Sequence, residues 1–280
     1  MKTQDKIAEL VDQVPALDKR GTFTGPSWEE ATPMLDGLIA AGRDGIVAVV
    51  AMLKDVDDGS DYKARYALHA LAQYLGRPGK EAARKMLADA FASQLGGDRP
   101  KGVQGYVARQ LQVIGSKESS PALGKLLGDP DLCETAAQAL LAIRDGAVVE
   151  FRRALPDLKG GLRLTVLQAL GVLADAESAG AMNAALADGD AEIRLCGAWG
   201  LARIAAADAV DAVFKLSTGA AGWERIKATS YALQLAERLL ASGKQAEAAK
   251  MYRLLKESRT DKSEAYVLEA ATEGLAKAGG

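Results

Sequence analysis

His69 is the only histidine in the chain, and Cys133 and Cys196 are its only cysteines. A zinc site built on several imidazoles therefore has no ligand set, and no Cys-x-x-Cys pair stands in for one. A Gly-x-Gly-x-x-Gly dinucleotide loop and a Gly-Lys-Ser/Thr phosphate loop are absent as well. A Ser-His-Asp hydrolase would have to use His69, which falls in the middle of an apolar helical pattern with no nucleophile elbow near it. The side chains left with chemistry to do are those that recognise a partner: Tyr66, His69, Tyr106, Arg109, Gln138, Gln168, Trp199 and Arg203. No cofactor and no metal are implied. What these residues can do depends on the elements that carry them.

The 280 residues are 49% hydrophobic but only 5% aromatic, and rich in Ala and Leu, a bias that suits closely packed helices better than sheets. Such a length supports one large unit or two ordinary domains. Thirty-five basic and thirty-seven acidic residues leave a net charge of −2. No global field draws in a polyanion, so no nucleic-acid partner is expected. Both cysteines lie in helical apolar patterns and read as small buried residues, not as a disulfide framework. No stretch approaches the roughly 18 apolar residues of a membrane span. Met1–Val14 has the spacing of an amphipathic helix and lacks the apolar run of a signal peptide. A cytoplasmic, monomeric protein is the expectation, although an exported form with its leader removed would read the same.

Self-similarity organises the rest. Residues 66–71, 106–111, 135–140, 165–170 and 196–201 each end in a leucine, with small or apolar residues four and three positions before it. Another apolar residue follows three positions later in four of the five (Ile114, Ile143, Leu173 and Ile204), with Tyr74 in the first copy. Steps of three and four residues return to one helical face, so this is a buried stripe. The leucines at 111, 140, 170 and 201 recur at about thirty residues, enough for two short helices and their turns. The first helices of the pairs fall near residues 119–127, 147–155, 177–187 and 208–217, set off by breakers such as Gly128-Asp-Pro-Asp. Asp129 followed by Pro130 reads as an N-cap and first helical residue.

These segments resemble the short HEAT-like repeats of bilin lyases and many bacterial scaffold proteins, most clearly at residues 190–201 and 163–170. The family's Asp and Arg positions are matched by Asp190 and Arg194, and by Arg163 alone in the other copy. The resemblance covers about residues 43–280 and implies a fold, not a single activity. It implies an all-α, right-handed alpha-alpha superhelix of about seven helix pairs. The expected division is a helical cap over residues 1–42 and a solenoid over 43–280 packed as one continuous unit, some 60–70 Å long at roughly 8–10 Å per neighbouring helix. HEAT-like hydroxylases that hold iron through repeated His-Glu pairs are excluded by the single histidine. Ser27 and Glu30 form a capping box opening the second helix of the cap. Residues 223–241, 244–257 and 262–277 give longer, more charged helices at the far end, as terminal repeats require.

The family's second helices line the concave side. Positions two and five before the buried leucine lie about 160° and 140° from it. The first set is His69, Arg109, Gln138, Gln168 and Trp199; the second is Tyr66, Tyr106, Thr135, Thr165 and Cys196, and Arg203 shares the face of Trp199. Such a stripe suits an extended protein or peptide partner, since Tyr, Trp and Arg carry much of interface energy. The reading is therefore a non-catalytic scaffold. Two alternatives remain: a tetrapyrrole-handling lyase that cradles its ligand with Tyr66, Tyr106, Arg109 and Trp199, and a HEAT-like DNA glycosylase using Trp199, Arg203 and Asp208, which the acidic pI of about 5.7 opposes. Trp28 and Trp223, beside helix starts, are expected to cover the ends of the core. Asp190 and Arg194, four residues apart, read as a structural pair able to ladder to neighbouring repeats.

Overall fold

The computed structural model describes residues 3–56 and 58–279. Met1 and Lys2, which open the expected amphipathic helix, and Gly280 lie outside the described residues. Among those residues the regular structure is sixteen α-helices and five short 3-10 turns, with no strand. The fold is all-α, built from helices that pair and repeat along the chain. The chain divides into two compact units, Met1–Ala154 and Leu155–Gly280.

The first unit opens with α1 (Thr3–Asp12) and α2 (Trp28–Ala40), joined by the irregular segment 13–27. The capping box of α2 is formed: the Ser27 hydroxyl accepts from the Glu30 N–H while Glu30 accepts from the Ser27 N–H. There follow α3 (Gly42–Val50), α4 (Tyr62–Leu75), α5 (Glu81–Ala92), α6 (Lys101–Ile114), α7 (Ser120–Gly124), α8 (Cys133–Ile143) and α9 (Ala147–Ala154). The even-numbered helices are the second members of the pairs. Within this unit α2 packs on α4, α4 on α6 and α6 on α8, while α3 packs on α5 and α7 on α9. That two-layer stacking is what the thirty-residue leucine period requires. Leu71, Leu111, Leu140 and Leu170 are all 0% exposed and Leu201 only 1%.

The second unit holds α10 (Gly160–Val172), α11 (Ala179–Ala185), α12 (Ala191–Arg203), α13 (Val210–Gly219), α14 (Gly222–Ala241), α15 (Gln245–Ser258) and α16 (Ala265–Lys277). Here α10 packs on α12, α12 on α14 and α14 on α16, with α13 on α15 in the other layer. Counted in chain order from α3, first and second helices alternate seven times. Two local expectations are corrected. Helix α8 begins at Cys133, not at Pro130, because the Asp129 carbonyl and carboxylate close a turn over residues 130–132 by accepting from the N–H groups of Cys133 and Asp131. Arg194 does not pair with Asp190, which instead caps α12 by accepting from the Glu192 N–H. Its guanidinium reaches the next second helix, binding both carboxylate oxygens of Glu224 at 2.7 and 2.8 Å. Arg225 makes the same two-point contact with Glu264 at 2.9 and 2.8 Å. Bidentate Arg–carboxylate pairs thus clasp α12 to α14, and α14 to the turn that opens α16.

Candidate functional site

Of the eight residues expected to form a binding stripe, Tyr66, His69, Tyr106, Arg109 and Gln138 belong to the first unit and Gln168, Trp199 and Arg203 to the second. In the first unit His69, Arg109 and Gln138 are exposed, as their angle from the buried leucine demands. His69 is tied down: Nδ1 lies 2.9 Å from Oε1 of Gln110 and Nε2 lies 2.8 Å from Nε2 of Gln73. With the Gln110 oxygen accepting from Nδ1–H and the Gln73 amide donating to Nε2, one ring proton satisfies both nitrogens. Tyr106 departs from expectation. It is only 7% exposed, its hydroxyl donates to the Arg65 carbonyl, and the Arg65 guanidinium lies 5.1 Å from its ring centroid. It braces α6 against α4 and presents nothing to a partner.

Tyr66 is half-buried, and the cover comes from the chain itself. The segment 13–27 runs across the outward side of α4, where Phe23 meets Tyr62 and Tyr66 edge-on at centroid distances of 5.5 and 5.1 Å. Tyr62 donates to the Pro15 carbonyl at 3.3 Å, and Lys63 holds the Asp12 carbonyl and carboxylate at 3.1 and 3.2 Å. Gly25 comes close to this surface, where a Cβ would stand 3.3 Å from Cε2 of Tyr66, a tight contact. The turn before Phe23 is closed by Asp18, whose carboxylate accepts from the N–H groups of Arg20 and Thr22 at 2.8 Å.

In the second unit Gln168 and Arg203 are exposed and Trp199 is half-buried. Trp199 leans on α10 beside Gly171, and Arg203 lies 5.8 Å from its ring centroid while donating to the Val172 carbonyl at 3.3 Å. Cys196 is 7% exposed; burial first, and the Glu192 charge second, push its thiol up to about 12, so it is inert as a nucleophile. Between α10, α12 and α14 lies a cleft of about 480 Å³. Gln168 and Val172 of α10, Glu192, Cys196 and Trp199 of α12, and Trp223, Lys227 and Tyr231 of α14 line it. Burial, with Cys196 and Glu192 nearby, raises the Tyr231 phenol above its usual range. Neither Glu192 nor Lys227 has an ion-pair partner among the described residues.

Trp223 and Tyr231 were not singled out as site residues by sequence reasoning. Trp223 is 50% exposed and Trp28 40%, so neither covers a core end. Trp28 instead stacks with Tyr74 at 6.3 Å and carries the Arg77 guanidinium 4.3 Å from its centroid. Helix α14 runs twenty residues, and its Ala/Leu pattern does not coincide with the thirty-residue template. The available signal was local: Trp223, Lys227 and Tyr231 recur every four residues and so share a face.

Among the described residues no three His, Cys, Asp or Glu side chains are grouped to hold a metal ion, and no helix is long and apolar enough to cross a membrane. No family model and no curated protein matches the chain. The solved structures to which it is similar include an engineered protein at 20% identity, over 98% of this chain and 78% of that one, with a TM-score of 0.47. The CpcE–CpcF complex of phycocyanin lyase from a Nostoc species is another, at 18% identity over 82% and 94% of the two chains, TM-score 0.37. Human deoxyhypusine hydroxylase in complex with glycerol is a third, at 18% identity over 99% and 97%, TM-score 0.32. None of these likenesses assigns an activity to this chain.

Proposed function

We propose that this protein is a non-catalytic scaffold that grips a segment of a protein partner on the outward faces of its second helices. The observation that carries the reading is the cleft between α10, α12 and α14, where Trp199, Trp223 and Tyr231 stand beside a carboxylate and an ammonium group that have no ion-pair partner among the described residues. Half-exposed aromatic rings ringed by hydrogen-bonding groups are the composition of interface anchors. A cleft of about 480 Å³ falls in the range of ligand sites, and its open sides suit a chain that enters and leaves. The near-neutral balance of charge favours a protein partner over nucleic acid.

Trp223 is the residue to remove, because its exposed ring contributes little to the core, whereas Trp199 also packs on Gly171. Immobilised wild-type protein and a Trp223→Ala, Lys227→Ala double variant are compared for capture of lysate proteins, with far-UV circular dichroism as the control for folding. The expected result is a reproducible set of proteins held by the wild type and lost by the variant at unchanged helicity. Equal capture by both removes the cleft as the binding site.

A further inference from the structure

The segment that covers α4 is joined to the fold at its two ends and hardly at all between them. At one end α1 is docked: Ile7 and Val14 are 0% and 2% exposed, and Leu10 fills the space beside Gly37 of α2, where a Cβ would stand 2.6 Å from its Cδ2. Lys63 of α4 pins the end of that helix through Asp12. At the other end α2 starts on its own capping box. From Pro15 to Pro26 every residue is exposed except Phe23 and Pro26, which are half-buried. Among the described residues the hydrogen bonds of this stretch are internal, gathered in the turn around Asp18, with one exception: the 3.3 Å bond from the Tyr62 hydroxyl to the Pro15 carbonyl. What holds the middle of the segment on α4 is one ring, Phe23, set edge-on to Tyr62 and Tyr66. Few buried apolar contacts and a backbone satisfied within the segment are the marks of local opening, which costs far less than global unfolding.

We propose that residues 15–26 are a strap latched by Phe23, which lifts from α4 as a unit while α1 and α2 stay docked, and so opens and shuts the outward face of the first unit. Behind the strap lies a cavity of about 250 Å³, lined by Pro15 and Pro26 from its two ends and by Ala31, Met34 and Tyr66 from the helices beneath. Ala31 and Met34 are each 2% exposed with the strap down. Lifting it uncovers Tyr62 and Tyr66, which lie about 180° and 140° from the buried Leu71 and so on the outward side of α4 that also carries His69. That the opened face then serves a partner rests on the scaffold reading; the latch itself does not.

A cysteine placed behind the strap reports its motion. Ala31→Cys is introduced into a Cys133→Ala, Cys196→Ala background, with and without Phe23→Ala, and reaction with a thiol reagent is followed in time; Met34→Cys takes its place if Ala31→Cys impairs folding. The expected result is labelling faster than global unfolding in the protein that keeps Phe23, and at least roughly tenfold faster labelling in Phe23→Ala. The thermal midpoint is expected to stay within about 2 °C. Equal labelling rates with and without Phe23 overturn the proposal. So do labelling no faster than global unfolding and a thermal midpoint that falls with the loss of the ring, since either makes the segment a fixed part of the fold. No partner enters this measurement, so failure of the capture experiment leaves the strap standing, and a fixed strap leaves the cleft of the second unit standing.

Discussion

Trp199 stands where a side chain at position 171 would have to be. A Cβ on Gly171 would collide with Cζ3 of the indole and lie 2.9 Å from Cε3. The glycine in α10 is thus the socket for the ring on α12, and it fixes the orientation of one wall of the cleft. Glycine inside a helix is ordinarily less favourable than alanine by about 1 kcal/mol. Gly171→Ala is nevertheless expected to destabilise the protein by about 1–3 kcal/mol through overpacking. In a Trp199→Ala background the same change is expected to be neutral or stabilising. Urea unfolding of the four proteins in this cycle checks the coupling, and additive effects would show that the ring and the glycine are independent.

The Arg–carboxylate clasps make stability depend on pH with a defined sign. Paired hydrogen bonds from Arg194 hold Glu224 below the ordinary carboxylate value of 4.5, and Arg225 does the same for Glu264. Their pKa values are lower folded than unfolded, so the stability they lend is present above about 4.5 and is lost as pH falls through the folded values. Glu224→Gln is expected to lower the thermal midpoint at pH 7 and to narrow its gap to wild type as the pH drops below about 4.5. A gap that stays constant with pH would mean that the clasp contributes by packing and not by charge.

The core was legible in the sequence because its signal is periodic. Leu71, Leu111, Leu140, Leu170 and Leu201 each sit in a buried stripe. The summit of four second helices was legible too: His69, Arg109, Gln138 and Gln168 are exposed, whereas Trp199 at the same position is half-buried. The shoulder was not. Tyr106 and Cys196 lie about sixty degrees round the helix from Arg109 and Trp199, yet both are buried, so the open arc is narrower than an isolated helix suggests. The segment over Tyr66 and the aromatic run of α14 escaped for a different reason. Neither repeats, and a template built on repetition is blind to contacts made once.

Ala174 carries strain that no leucine pattern reveals. It closes α10 with φ 51°, and the bonds from Asp175 N–H to the Leu170 carbonyl and from Ala174 N–H to the Gly171 carbonyl, both 3.1 Å, form a Schellman turn. An L-residue in the left-handed region costs about 1–2 kcal/mol, whereas glycine enters it freely. Ala174 is exposed, so its methyl group contributes little packing. Ala174→Gly is expected to stabilise the protein by about 0.5–1 kcal/mol after the entropic cost of glycine. The same substitution at exposed Ala8, within α1, is expected to destabilise it by about as much. Denaturant midpoints of opposite shift check the pair, and a loss at position 174 would show that the turn holds no strain.

Arg259 tests whether a buried cation stabilises the far end of the second unit. It is 3% exposed, and its Nη2 donates to the Ser217 carbonyl, the Ser217 hydroxyl and the Thr229 hydroxyl, each at 3.1 Å. Nε and Nη1 have no hydrogen-bond partner among the described residues, although Glu264 lies 3.5 Å from Nε. Glu264 is already engaged by both nitrogens of the Arg225 fork. Burial, and then the Arg225 charge, depress the Arg259 pKa below the usual guanidinium range, so the charged form is less favoured here than in water. A buried ion with incomplete partners is often replaced by an apolar side chain of similar length at no loss. Arg259→Met is therefore expected to leave stability within about 1 kcal/mol of wild type or to raise it. Glu264→Gln leaves two guanidinium groups facing each other without a carboxylate and is expected to cost about 2–3 kcal/mol. Urea unfolding orders the two variants. If Arg259→Met is the more damaging, the three hydroxyl and carbonyl contacts outweigh desolvation, and the cation is a net fastener of α13, α14 and α16.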